Sequence, residues 1–183
     1  MISTKRILGM IIMLSTFTGF AAHASVTSET EASSKALGAK MANEISFEEG
    51  KASLTDTSKQ EIRDFIKTAR DQGKIGEVKV AVWADREYPS PDTKASDADV
   101  KLANERAKEL KGFLKKELAV NDVNTYNMTQ RPNALQKFIH TPTANMKNTM
   151  EKMGAAPTTE KETGLFNQKA QASKAVMMIY MKQ

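Results

Sequence analysis

Apolar residues fall on the chain in two periods, and the period switches several times. "EISFEEG" (Glu44 to Gly50) alternates, with Ile45 and Phe47 on one side, and predicts a short strand. "LTDTSKQEIRDFIKTARDQGK" follows. Ile62, Phe65, Ile66 and Ala69 lie at i, i+3, i+4 and i+7, one apolar stripe of a helix. Thr57 or Ser58 is expected to cap its start and Gly73 to end it. "KIGEVKVAVWA" alternates again: Val78, Val80 and Val82 face one way, and Glu77, Lys79, Ala81 and Trp83 the other. A loop with Pro89 and Pro91 leads to a second helix, striped by Ala103, Ala107, Leu110, Leu114 and Leu118. Lys101, Glu105, Lys108, Lys111 and Lys115 take its wet side. "DVNTYNMTQ" (Asp122 to Gln130) is a weaker third strand.

The pattern then changes. Arg131 to Gly154 reads as two short helices, the first edged by Leu135, Phe138 and Ile139. Thr141-Pro142 starts the second as a cap followed by proline. Met146, Met150 and Met153 stripe it, as core packing rather than as an adaptable groove, and Gly154 suits its end. Ala155 to Gly164 is a polar link. "KAVMMIYMK" (Lys174 to Lys182) is apolar at nearly every position, as in a strand central in its sheet with both faces covered. The order β-α-β-α-β-(inserted helices)-β implies an α/β (α+β) two-layer sandwich. The domain is expected over residues 44–183, with a helical insertion at about 131–164. Replacing Asn133 to Gly164 by a short Gly/Ser turn should leave a folded protein, because loop-closure entropy grows slowly with length.

Ahead of the domain, Lys5 and Arg6, an apolar run from Ile7 to Phe20 and Ala22-His23-Ala24 have the form of a cleaved signal peptide, residues 1–24. Periplasmic location and no membrane span after cleavage are expected. Residues 25–43, small and polar, read as a flexible arm. Loss of Lys5 and Arg6 lowers the formal charge from +5 to +3, too weak a bias to suggest nucleic acid. The chain has no cysteine, which excludes disulfides and a cysteine-linked lipid anchor. Beyond the leader His140 is the single histidine, so a zinc site or catalytic triad is poorly supplied; His140 suits a helix end. Neither G-x-S-x-G, a phosphate loop nor G-x-G-x-x-G occurs. No catalysis, metal or cofactor is expected.

Several local words resemble the OmpA-like domain, the periplasmic peptidoglycan-binding module of Gram-negative bacteria. They are Ile45-Ser46-Phe47 with Ala52-Ser53-Leu54, Val82-Trp83-Ala84-Asp85 closing the second strand, and Asp99 to Ala107 in the second helix, ending in Arg106-Ala107. The resemblance implies that Asp85 takes the ammonium, and Arg106 the carboxylate, of the diaminopimelate in peptidoglycan stem peptides. An acid and a planar guanidinium a few ångströms apart suit a zwitterionic head. Asp85 closes a strand and Arg106 lies on the edge of a helical stripe, so both are expected on rigid supports with side chains accessible. The alternative is an exposed salt bridge worth about 0–1 kcal/mol. Val82, Asp99 and Ala103 stand where the family has glycine, asparagine and serine, and Ser173-Lys174-Ala175-Val176 stands near its N-R-R-V run. Two functions are therefore carried forward. One is a non-catalytic cell-wall binding module. The other is the same fold repurposed for protein–protein contact in the cell envelope or a secretion system, through the inserted helices.

Overall fold

The computed structural model describes residues 26–87, 94–130, 141–157 and 173–182. The expected leader, Pro89 and Pro91, the helix around Leu135, Phe138 and Ile139, and His140 lie outside them.

Four strands form one sheet in the order β1-β4-β2-β3. These are β1 (Met41–Ser46), β2 (Ile75–Val82), β3 (Val123–Asn127) and β4 (Lys174–Met181). β4 runs antiparallel to both β1 and β2, with Val176 opposite Glu44 on one side and Ala81 on the other. β2 and β3 are parallel. Ala175 through Ile179 are fully buried, so the unbroken apolar run marks a central strand, as its pattern implies.

One face of the sheet carries α2 (Asp56–Gln72) and α3 (Asp97–Lys116). Ile45, Val78, Val80, Val82, Met177 and Ile179 meet Ile62, Ile66 and Ala69 of α2 and Leu110 and Leu114 of α3 there. The cap of α2 is Thr55, two residues ahead of the expected Thr57; its hydroxyl accepts from Ser58 N at 3.1 Å. Gly73 closes the helix at φ 151, which a side chain would strain.

The helix-bearing sheet is the expected one, and its second face is covered as well. There α4 (Pro142–Lys152), capped by Thr141, buries Met146 and Met150 against Ala81, Trp83, Val176 and Met178. Ala155 of the expected polar link is buried in the same cluster. Within the expected 131–164 insertion the second helix closes a core, which argues against replacing it by a turn. Met153, at the end of the methionine stripe, is exposed.

The arm expected over 25–43 is also corrected. Ser28–Ala36 is a helix, α1, capped by Thr27 and followed by β1 from Met41. Glu29 and Glu31 in its first turn and Lys35 in its last complement the helix dipole. Its buried face is hydroxylic rather than apolar: Thr30, Ser33 and Ser34. Thr27 and Thr30 donate to the Glu44 carboxylate, and Ser33 Oγ to Met150 Sδ at 3.3 Å. Composition reads such a helix as disorder because its docking uses short polar side chains.

If α4 is core, Met150→Ala leaves a cavity in a closed layer. It should cost roughly 2–5 kcal/mol in urea unfolding. An unchanged midpoint would show that the second layer is dispensable.

Candidate functional site

Arg106 and Asp85 meet at the C-terminal end of β2. Arg106 Nη2 donates to Asp85 Oδ1 at 2.6 Å. The residues expected as a pair are thus brought together, but in a different state from the one expected. The Arg106 side chain is completely buried, and that of Asp85 is 15% exposed. Arg106 is not on the edge of its helix's stripe. Ala103, Arg106, Leu110 and Phe113 follow the i, i+3, i+7, i+10 spacing of one buried face, and Arg106 lies in its centre.

Four of the five guanidinium donors are occupied. Nε donates to the Lys51 carbonyl at 2.8 Å, Nη1 to the Trp83 carbonyl at 3.0 Å, and Nη2 to the Glu48 carbonyl at 3.0 Å as well as to Asp85. The ring of Phe47 lies under the guanidinium, its centroid 4.8 Å from the guanidinium carbon, a cation–π contact. Asp85 is equally well held. Its Oδ1 also accepts from Ser173 Oγ at 2.6 Å, and its Oδ2 from the Gly50 amide at 2.6 Å. Burial pushes the Asp85 carboxyl up. Hydrogen bonds from Ser173, Arg106 and Gly50, with the charge of Arg106, outweigh that and leave it below the usual carboxylate range.

Three loops remote in sequence are gathered here: the one after β1 (Phe47 to Lys51), the end of β2 (Trp83 to Asp85) and the residue before β4 (Ser173). Sequence patterning finds only Asp85 and Arg106. The Gly50 amide and the three carbonyls are backbone groups with no residue signature. Ser173 stands at the start of the word before the last strand, where an oxygen donor to Asp85 could have been sought. Around the cluster Lys51 pairs with Glu48 at the surface.

Chemically the arrangement offers one acid and one base within hydrogen-bond reach of each other, with the Ser173 hydroxyl on the acid. Among the described residues no group of three or more His, Cys, Asp or Glu could hold a metal, and no helix is long and apolar enough to cross a membrane. No family model matches the chain, and no curated protein matches it. A solved structure, the OmpA-like domain of FopA1 from Francisella tularensis subsp. tularensis SCHU S4, is similar at TM-score 0.41 and 14% identity, over 78% of this chain and 75% of that one.

Because Arg106 is buried, truncating it is not the neutral change that an accessible side chain would allow. Arg106→Ala strands three carbonyls and an ionised Asp85. It should cost on the order of 3–5 kcal/mol in denaturant unfolding. A variant as stable as wild type would place the guanidinium in solvent.

The lowered Asp85 carboxyl also fixes a sign. Its contribution to stability is present above the ordinary carboxylate range and is lost as pH falls through its folded value. Asp85→Asn should be less stable at neutral pH, and its acid unfolding should lack that part of the slope. Parallel acid limbs in the two proteins would contradict this.

Proposed function

We propose that the chain is an exported, non-catalytic, periplasmic binding module of the cell envelope. Its ligand is the diaminopimelate head of peptidoglycan stem peptides, taken at Asp85 and Arg106. One observation carries the reading: the direct 2.6 Å contact between Asp85 and Arg106 at the end of β2. Opening a buried ion pair ordinarily leaves two unpaired charges, at a cost of several kcal/mol. A zwitterionic amino-acid head avoids that. Its ammonium replaces Arg106 on Asp85 while its carboxylate replaces Asp85 on Nη2, so one ion pair becomes two. The other three Arg106 contacts hold the guanidinium during the exchange. Ser173 and Gly50 do the same for Asp85. A monovalent cation or anion cannot make this exchange, which gives selectivity for an ammonium and a carboxylate on one carbon.

A second reading is favoured by the saturation of the cluster within the chain itself. In that reading Asp85 and Arg106 stay closed as a latch, and the module contacts an envelope or secretion-system protein through the region that carries α4.

Sacculi separate the two. Lysine at the third stem position keeps the side-chain ammonium but lacks the adjoining carboxylate. The protein should co-sediment with diaminopimelate-type sacculi and stay in the supernatant with lysine-type sacculi. Free meso-diaminopimelate should compete. Equal recovery from both wall types would move the site elsewhere, and no recovery from either would favour the latch.

A further inference from the structure

Two residues past Asp85, a second buried ion pair closes on the opposite face of the sheet. Lys147 Nζ of α4 lies 3.3 Å from Glu87 Oε1, with the two side chains 4% and 3% exposed. Lys147 also donates to the Met128 carbonyl and lies 3.6 Å from Glu151 Oε1, one turn along α4. The other oxygen of Glu87 accepts from the indole Nε1 of Trp83 at 2.6 Å. Charged side chains this deep are kept only where they are paired. The ligand exchange proposed above uses none of these groups.

Their place in the chain is what connects them to it. Trp83 belongs to both clusters. Its carbonyl accepts from Arg106 on the α3 side, and its indole donates to Glu87 on the α4 side. Its neighbour Ala84 is fixed to β3's end through Thr129 Oγ1 at 2.8 Å. Past Ala84 the chain leaves the sheet, and side chains hold it: Asp85 to Arg106, Ser173 and Gly50, and Glu87 to Trp83 and Lys147. The turn that presents Asp85 is thus clamped from both helical layers.

We propose that Lys147 is a positioning residue for the Asp85–Arg106 cluster. By pairing with Glu87 beneath Trp83 it fixes the turn that carries Asp85, so that docking of α4 and closure of the cluster are one equilibrium. The coupling is independent of any ligand; only its consequence for binding rests on the function proposed above. A simple latch for α4 makes the opposite statement, that loss of Lys147 loosens α4 and leaves Asp85 as it was.

Two variants and one wild-type measurement distinguish them. Lys147→Met removes the charge at similar volume. Glu87→Gln/Lys147→Met removes both charges, a change that buried pairs often tolerate. The readouts are the pH titration of the Asp85 carboxyl by carbon NMR and hydrogen exchange at the Gly50 amide. The charged groups around Asp85 are Arg106 of α3, Arg86 and Glu87 of its own turn and the surface pair Glu48–Lys51 of the loop after β1; Lys174 of β4 is engaged with Glu44. Glu87 changes only in the double variant, where Lys147 is neutralised with it and the pair's net charge is kept; the others are untouched in both. In either folded variant Asp85 should titrate closer to the ordinary carboxylate value, and Gly50 should exchange at least ~10-fold faster. Unchanged Asp85 and Gly50 beside faster exchange in α4 would overturn the proposal. In the wild-type protein the Gly50 amide and the α4 amides should open together under native-state exchange. Gly50 protected ~10-fold or more beyond α4 would overturn it without any variant. Should the protein bind no diaminopimelate, these readouts still decide the coupling, because none of them contains ligand. If it does bind, both variants should weaken meso-diaminopimelate ~10-fold.

Discussion

A guanidinium taken wholly out of water is tolerated only when its donors are met and its charge is balanced. Arg106 meets that condition by drawing two separate backbone segments towards itself. The Lys51 and Glu48 carbonyls come from the loop after β1, the Trp83 carbonyl from the end of β2, and Phe47 covers the face. Asp85 supplies the balancing charge, and Ser173, on the doorstep of the central strand, completes its shell. The loops at this end of the sheet owe their arrangement to one buried charge. The proposed function builds on that same concentration of satisfied polar groups: a zwitterionic head could replace the internal pair without stranding either half.

The sheet conveys this arrangement to its other side. β2 delivers Val78, Val80 and Val82 to the layer of α2 and α3, and Ala81 and Trp83 to the layer of α4. The strand's period of two therefore decides that the chain emerging from it touches both layers. Trp83 is where the two meet: backbone to Arg106, indole to Glu87. α1 extends the second layer with a hydroxyl-bearing face held by Glu44 and Met150. Its contribution is local polar satisfaction more than buried apolar area.

What could be read in the sequence follows from which signals are periodic. The valines of β2, the apolar run of β4 and the stripes of α2 and α3 were legible because side-chain burial repeats with the backbone. Thr141-Pro142 announced α4 through capping chemistry, but nothing in the methionine stripe said which surface it would cover. α1 was missed because serines and threonines carry no hydrophobic period. Arg106 is the instructive case. Its spacing from Ala103 and Leu110 places it in the buried stripe, yet its charge argues for the edge, and the periodicity was the better guide. Gly50, Ser173 and the three carbonyls were out of reach, since long-range contacts through backbone atoms leave no mark on residue type.

The most direct measurement follows the two charged groups themselves while ligand is added. Carbon and nitrogen NMR can observe the Asp85 carboxyl and the Arg106 Nε–H during titration with a diaminopimelate-containing muropeptide. Asp85 should shift saturably as an ammonium replaces Nη2. The Arg106 Nε–H, still bonded to the Lys51 carbonyl, should remain slow to exchange throughout. A carboxyl signal that never moves, with the muropeptide bound or not, would contradict the opening of the Asp85–Arg106 pair and leave it as a closed architectural contact.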